Sequence, residues 1–278
     1  MAVSEYRPGF LLKLIRHVEF PKKYGLLDRL LGKNLSRYGI TSAETSVGLL
    51  WKLDLRLSVH RWIIYGMYDG PFLKWTKKHL GSNSVVVDSG ANIGQMSLYF
   101  AKWVPQGKVL AFEPDLEAGN WLNESINLNK GLPIQLIRSG LGENESQKTL
   151  SVPADGKDLE LHGFWSFISE NEDPDGQKIS MVRLQDTLES LHISEVDLWK
   201  LDVEGFEIPA LKGAEHFLKT KKIKALYIEL AIKENNHKKI MSYMNALGYD
   251  CHYFDRSGRL HKSNETRDYQ TDGLFLPA

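Results

Sequence analysis

Hydrophobic and polar positions divide this chain into an irregular opening and a regular remainder. From residue 84 onward, short apolar runs alternate with amphipathic helical periods. Ser84-Val-Val-Val-Asp88 and Lys108-Val-Leu-Ala-Phe112 read as strands covered on both faces, since unbroken apolar runs leave no side for solvent. Ile134–Arg138, Val196–Leu201 and Ala225–Leu230 continue the series. Between them, Gln95–Lys102, Asp115–Leu128 and Asn236–Leu247 carry helical periodicity, with Asp115 placed as an N-cap and Gly248 as a helix stop. Strands alternating with helices predict an α/β fold with a mostly parallel sheet. Tyr249–Phe254 and Gly273–Leu276 are expected to form an antiparallel hairpin at its edge.

Two regions break the alternation. Residues 143–183 hold expected strands at Lys148–Val152 and Ile179–Leu184 around a polar loop with an aromatic knot at Phe164, Trp165 and Phe167. Long loops inside compact domains often cover a binding site, so this insert reads as a lid over a substrate or as a hairpin pinned by its aromatics. In the opening, Phe10, Leu11, Leu14 and Val18 recur at helical spacing, with Pro21, Gly25 and Gly32 as punctuation. Two or three short helices are expected there, then a strand over Trp51–Val59 and a helix over Phe72–Leu80. The first forty residues hold eight Lys or Arg against three Asp or Glu. The favoured reading is a helix packed on the core with a solvated basic face; a membrane or partner surface is the alternative. The expected division is a helical extension over 1–61 and a main domain over 62–278.

Composition narrows the classes. Lys plus Arg and Asp plus Glu are both 35, so no global charge points to nucleic acid. Cys251 is the only cysteine, which excludes an internal disulfide and a cysteine zinc site and fits a cytoplasmic setting. No apolar run is long enough to span a bilayer, and Lys13 and Arg16 interrupt the apolar N-terminal stretch, against a cleaved signal peptide. No histidine pair has metal-ligand spacing on one helix face, and no H-E-x-x-H appears, so a divalent metal finds no support among the histidines.

Chemistry concentrates at strand ends. After the first core strand comes Asp88-Ser-Gly90-Ala91-Asn92-Ile-Gly94, where two glycines permit a sharp turn and close approach to a ligand. The acid stands first, which disfavours a pyrophosphate and suits a ligand bearing an ammonium. Glu113, ending the second strand about 20 residues after the glycine turn, is placed to bind ribose hydroxyls, with Pro114 behind it. A nucleoside with an ammonium and no phosphate describes S-adenosylmethionine. Ser139 and Gly140, after the third strand, form either a resting place for adenine or a plain turn. Lys200-Leu-Asp202-Val-Glu204-Gly-Phe-Glu207 ends the fourth strand with Lys200 and Asp202 on one face. Such a cluster is an ion-pair network or a catalytic site, and its position at the carboxyl edge favours the second. Tyr68, Trp165, Glu229 and His237 are weaker substrate candidates; Tyr68 and Asp69 read equally well as a turn with a helix cap.

Asp88-Ser-Gly-Ala-Asn-Ile-Gly94, Phe112-Glu-Pro114 and above all Lys200-Leu-Asp-Val-Glu-Gly-Phe-Glu207 resemble the FkbM family of S-adenosylmethionine-dependent methyltransferases, over roughly residues 62–276. The resemblance implies a class I methyltransferase fold: a seven-stranded, mostly parallel sheet, last strand antiparallel, helices on both faces. It implies O-methylation of a sugar or other small-molecule hydroxyl, as in secondary metabolism. The carry-over gives Asp88, Gly90, Ala91, Asn92 and Gly94 as the methionine-side cradle, Glu113 as the ribose ligand, and Lys200, Asp202, Glu204 and Glu207 near the transferring methyl. Ser89 stands where the family has an apolar residue, and Pro209 where it has an ordinary helix former. Asp202 or Glu204 is the expected base, oriented by Lys200; a magnesium ion on these acids is the alternative. The competing classes are a nucleotide-dependent oxidoreductase, disfavoured by the acid-first turn, and a non-catalytic scaffold, disfavoured by the intact charge cluster.

Overall fold

A computed structural model of the chain describes residues 5–278 except 19, 21, 46, 67–69, 152–166, 170–175, 231–235, 256 and 264–271. Tyr68, Asp69 and Trp165, and with Trp165 the lid expected of the insert, lie outside the described residues. The chain opens with β1 (Glu5–Tyr6), α1 (Phe10–Ile15), α2 (Lys23–Leu35), β2 (Ile40–Glu44), β3 (Leu50–Asp54) and α3 (Ser58–Ile64). Next come α4 (Gly70–His79), β4 (Val85–Ser89), α5 (Ser97–Trp103), β5 (Lys108–Phe112), α6 (Leu116–Leu128) and β6 (Ile134–Ile137). Then β7 (Gly140–Leu141) precedes the insert, which contributes β8 (Ser146–Ser151), β9 (Phe167–Ser169) and β10 (Gln177–Val182). The remainder holds α7 (Leu184–Ser190), β11 (Leu198–Leu201), α8 (Glu207–Lys212), α9 (Glu215–Lys219), β12 (Leu226–Glu229), α10 (Asn236–Ala246), β13 (Tyr249–Phe254), β14 (Leu260–Lys262) and β15 (Asp272–Pro277).

The main sheet runs β14-β13-β15-β12-β11-β4-β5-β6. Its five strands from β12 to β6 are parallel, and β15 enters antiparallel beside β12. This is the seven-strand class I methyltransferase order, extended by β14 folding back on β13. The final strands pair antiparallel as expected, but β15 lies between β12 and β13 rather than at the edge.

Alternation along each strand sends side chains to two cores. Val86, Val109, Ala111, Leu198 and Tyr227 face one, and Val87, Leu110, Phe112, Trp199 and Leu201 the other. Both faces are covered, which is why these strands read as continuous apolar runs. Asp115 caps α6, its Oδ1 accepting from Ala118 N at 2.8 Å, and Pro209 sits in the first turn of α8, where its missing N–H has no partner to lose. Asp186 lies inside the first turn of α7, beside Arg183.

The opening differs from a helical extension. It carries a three-stranded sheet, β1 parallel to β2 and β2 antiparallel to β3. Strand β2 escapes a periodicity argument because Thr41, Ser42 and Ala43 are consecutive small buried residues with no large apolar alternation. The expected division at 61/62 falls within α3. Strand β3 docks on α6: Leu50 N donates to Asn129 Oδ1 at 2.9 Å, Asn129 Nδ2 donates to Leu50 O at 2.6 Å, and Lys52 N donates to Ser125 Oγ at 3.0 Å. The favoured reading of α1 is also corrected. Leu12 points inward, whereas Phe10, Leu11 and Leu14 of the expected apolar face are exposed.

Candidate active site

Register builds the site. Asp88 of β4 lies opposite Lys200 of β11, and parallel neighbours in register share a face. Lys200 Nζ donates to Gly90 O at 3.0 Å and stands 3.1 Å from Asp202 Oδ2 and 3.7 Å from Asp88 Oδ1. One buried ammonium thus joins the first turn to the second. Asp88 is fully buried, so it stands beneath the site instead of lining it, against its expected direct contact with a ligand ammonium. Its Oδ2 accepts from Ser97 Oγ at 2.5 Å, while Oδ1 has no hydrogen-bond donor. Burial raises the Asp88 carboxyl, with Lys200 and Ser97 pulling the other way.

The glycine turn is shaped by close packing. Gly90 has φ +72°, and a Cβ there would collide with the Asp202 carbonyl oxygen. Gly94 has φ +89°, with a virtual Cβ 2.5 Å from Leu122 Cδ1 and 2.6 Å from Leu98 Cδ1. The amides of Gly90 and Ala91 both donate to Phe112 O at 3.0 Å, so these two residues serve the cradle through shape and not through free N–H groups. Asn92, at φ +50°, donates its N–H to Glu113 Oε2 at 2.7 Å, and Asp115 N donates to Oε1 at 2.9 Å. Each Glu113 oxygen keeps a lone pair for a further donor. Burial pushes Glu113 up to about 7 against these two bonds. The Ser89 departure has a partner: its buried Oγ accepts from Trp199 Nε1 at 2.8 Å.

The second turn is held by Glu207, which the family resemblance placed near the transferring methyl. It is fully buried, and its Oε1 accepts from Gly205 N at 3.0 Å and Val203 N at 3.3 Å. Its Oε2 accepts from Asn236 Nδ2 at 2.8 Å. Glu207 therefore sets the turn that presents Asp202 and Glu204, the latter at φ +52°. Ser97 and Asn236 complete the two turns; neither stood out in the sequence, because a lone Ser or Asn at a helix start carries no spacing signal.

The Asp202 side chain is 40% exposed, and Glu204 beside it is exposed as well. Oxygens of Asp202, Glu204 and Glu229 lie within 4.8 Å of one another. Burial, together with Asp202 and Glu204, pushes Glu229 up to about 9, with a hydrogen bond to Asp202 and the charge of Asp272 adding to the rise. Asp272 is the cross-strand neighbour of Glu229 in the β12–β15 ladder. His237, second residue of α10, is buried with neither ring nitrogen hydrogen-bonded. Gly140 lies in β7 against the Met181 thioether, which a larger residue would have to displace, and Ser139 N donates to Ile137 O at 2.9 Å. Packing of the insert thus accounts for Gly140, and Ser139 remains half-buried beside it.

Residues 88–251, from the acid of the first turn into β13, match the methyltransferase FkbM domain. The chain belongs to the FkbM methyltransferase family. Within this FkbM chain, 162 residues are 30% identical to methyltransferase sdnD of Sordaria araneosa, covering 49% of the chain and 62% of that relative. A stretch of 150 residues is 27% identical to methyltransferase 1 of Beauveria bassiana, covering 48% and 59%. The chain thus spans about three fifths of the length of these two relatives. Among solved structures, a precorrin-6y C5,15-methyltransferase from Geobacter metallireducens aligns over 76% of this FkbM chain and 88% of its own, with 10% identity and a TM-score of 0.42.

Proposed function

We propose that the chain transfers a methyl group from S-adenosylmethionine to a hydroxyl of a small molecule, a sugar or secondary metabolite, with Asp202 receiving the hydroxyl proton. The observation that carries this reading is the buried Lys200 bridge, which fixes the half-exposed Asp202 beside the Gly90 turn. The residues present fit the cofactor. Glu113 has acceptor capacity left for ribose hydroxyls, and the Gly90 turn leaves no space for a side chain. When bound, the cofactor supplies a methyl on a sulfonium, an electrophile needing no further activation. The chain's own part is to hold the acceptor oxygen in line, which alone supplies several kcal/mol, and to take its proton as the new C–O bond forms. Asp202 does the second, oriented by Lys200 and by the turn that Glu207 holds. The names of the curated relatives support methyl transfer; the hydroxyl acceptor rests on the family resemblance and on the carboxylate at the mouth.

One observation favours a second reading of the same acids. Three carboxylate oxygens within 4.8 Å of one another match the spacing a shared divalent cation requires, and Asp202, Glu204 and Glu229 would hold it. Such an ion would lower the acceptor's pKa in place of the base. Loss of turnover in chelator, restored by magnesium, selects this reading.

The deciding experiment pairs calorimetry with turnover. S-adenosylmethionine and S-adenosylhomocysteine both bind the folded chain, and Glu113→Ala weakens both by about tenfold or more, as expected for a lost pair of charge-assisted hydrogen bonds. With an acceptor from a screen of sugars and polyketide-like alcohols, Asp202→Asn keeps cofactor binding and lowers kcat about 10²–10⁴-fold. Binding of neither compound by the folded protein would instead support a non-catalytic module.

A further inference from the structure

Ten large hydrophobic side chains are exposed among the described residues, and eight of them belong to the first forty residues. Phe10 is 80% and Leu11 68% exposed on α1, and Leu26 and Leu30 are exposed on α2. Helix α2 turns Leu27 and Leu35 inward. Its outer stripe, at three- and four-residue spacing from the N-cap onward, reads Lys22, Leu26, Arg29, Leu30 and Lys33, with Arg37 following in the next turn, and all six are exposed. No described carboxylate lies on that stripe. Asp28 is turned away into a bidentate pair with Arg61, at 2.6 and 2.8 Å, and also accepts from Tyr65 Oη at 3.1 Å. Glu44 faces Lys13 at 3.5 Å. Lys23 Nζ donates to Arg16 O at 3.0 Å, joining the end of α1 to the start of α2. Leu12 and Leu27 enter the same core, so each helix keeps its other face outward.

We propose that this face seats the protein on an anionic lipid bilayer. Leu26 and Leu30, with Phe10, Leu11 and Leu14 of α1, enter the headgroup boundary, while Lys22, Arg29, Lys33 and Arg37 meet the negative lipid headgroups. No described helix is long and apolar enough to cross a membrane, so the contact is interfacial. Charge selects the occupant. A second copy packed through the same face would set these cations against their own equivalents. A nucleic-acid backbone would leave the leucines between the cations without an apolar partner. A membrane with anionic lipids satisfies both kinds of side chain at once. This contact goes beyond methyl transfer and stands or falls separately from it.

The test is sedimentation of the full chain with vesicles of phosphatidylcholine alone or mixed with phosphatidylserine. The protein is expected to pellet with the mixed vesicles and stay in solution with phosphatidylcholine, and added salt should weaken the binding. Leu26→Glu/Leu30→Glu and Arg29→Glu/Lys33→Glu should each weaken it by more than about tenfold. Both pairs are exposed, so circular dichroism and melting temperature should stay at wild-type values. Wild-type protein that remains in solution with both vesicle types overturns the proposal, as does undiminished binding by the variants. If the leucine variant instead dissolves a dimer seen by size exclusion, or the arginine–lysine variant abolishes binding to RNA in the absence of vesicle binding, the face belongs to that partner and the lipid proposal fails.

Discussion

Glu229 illustrates what the acid cluster does to stability. Burial and its neighbours Asp202, Glu204 and Asp272 push its carboxyl up to about 9, whereas in the unfolded chain it titrates at about 4.3. Between those values the folded state holds a proton that the unfolded state has released, so stability falls as pH rises through that window. Glu113, pushed up to about 7 mainly by burial, acts in the same sense over the lower part of the window. The melting temperature is therefore expected to drop from pH 5 to pH 9. Glu229→Gln should remove much of the drop and raise the melting temperature by a few degrees at pH 9, with little change at pH 5. Scanning calorimetry of both proteins across the range checks this; parallel curves with an unchanged slope would exonerate Glu229. A cation taken up by the same carboxylates would flatten the wild-type curve in the same way, so the scan is best made with and without magnesium.

Among the elements, the two turns at the carboxyl edge, after β4 and after β11, divide the labour differently from the spacing of their residues. Glu207 lies in the same motif as Asp202, yet its three accepted hydrogen bonds all go to the turn and to Asn236. Glu207→Ala leaves three part-buried donors without their acceptor and empties a buried side-chain site, and stability should fall by about 2–4 kcal/mol in total. Turnover should fall by about tenfold or more while the pH–rate profile keeps its shape, because Asp202 is misplaced and not removed. In combination with Asn236→Ala the stability losses should be less than additive, since the two share one bond; full additivity would argue against the shared turn. What was legible beforehand follows from this. Apolar runs announced every parallel strand of the main sheet, and the acid-glycine turns announced its carboxyl edge. Register was not legible: only the β4–β11 pairing shows that Lys200 answers Asp88 and that Asp88 is buried beneath the site. Nor were β1 and β2, whose small and polar residues carry no period, or the outward turn of Phe10 and Leu11, because spacing groups side chains on a face without saying which way that face points.

At the scale of the whole molecule, the N-terminal strands and helices are part of one core with the sheet. Trp51, Leu53 and Leu55 are fully buried in the same cluster as Val86, Val109 and Leu198 of the main sheet. The β3–α6 seam adds three hydrogen bonds involving Asn129 and Ser125. Each such buried side chain contributes about 1.5–3 kcal/mol, so these three alone approach the about 5–15 kcal/mol by which a domain is stable. Cutting the chain before residue 62 would remove them, sever α3 in mid-helix and expose the apolar face of α6. The fragment 62–278 is therefore expected to lack a cooperative melting transition and to bind a hydrophobic dye, whereas the full chain unfolds in one step. Asn129→Ala, a milder probe of the same seam, loses both bonds to Leu50 and should cost about 2–3 kcal/mol while keeping a single transition. A fragment that melts sharply and still binds S-adenosylmethionine would mean that the sheet folds without its opening, and that the first sixty residues serve only the surface they present.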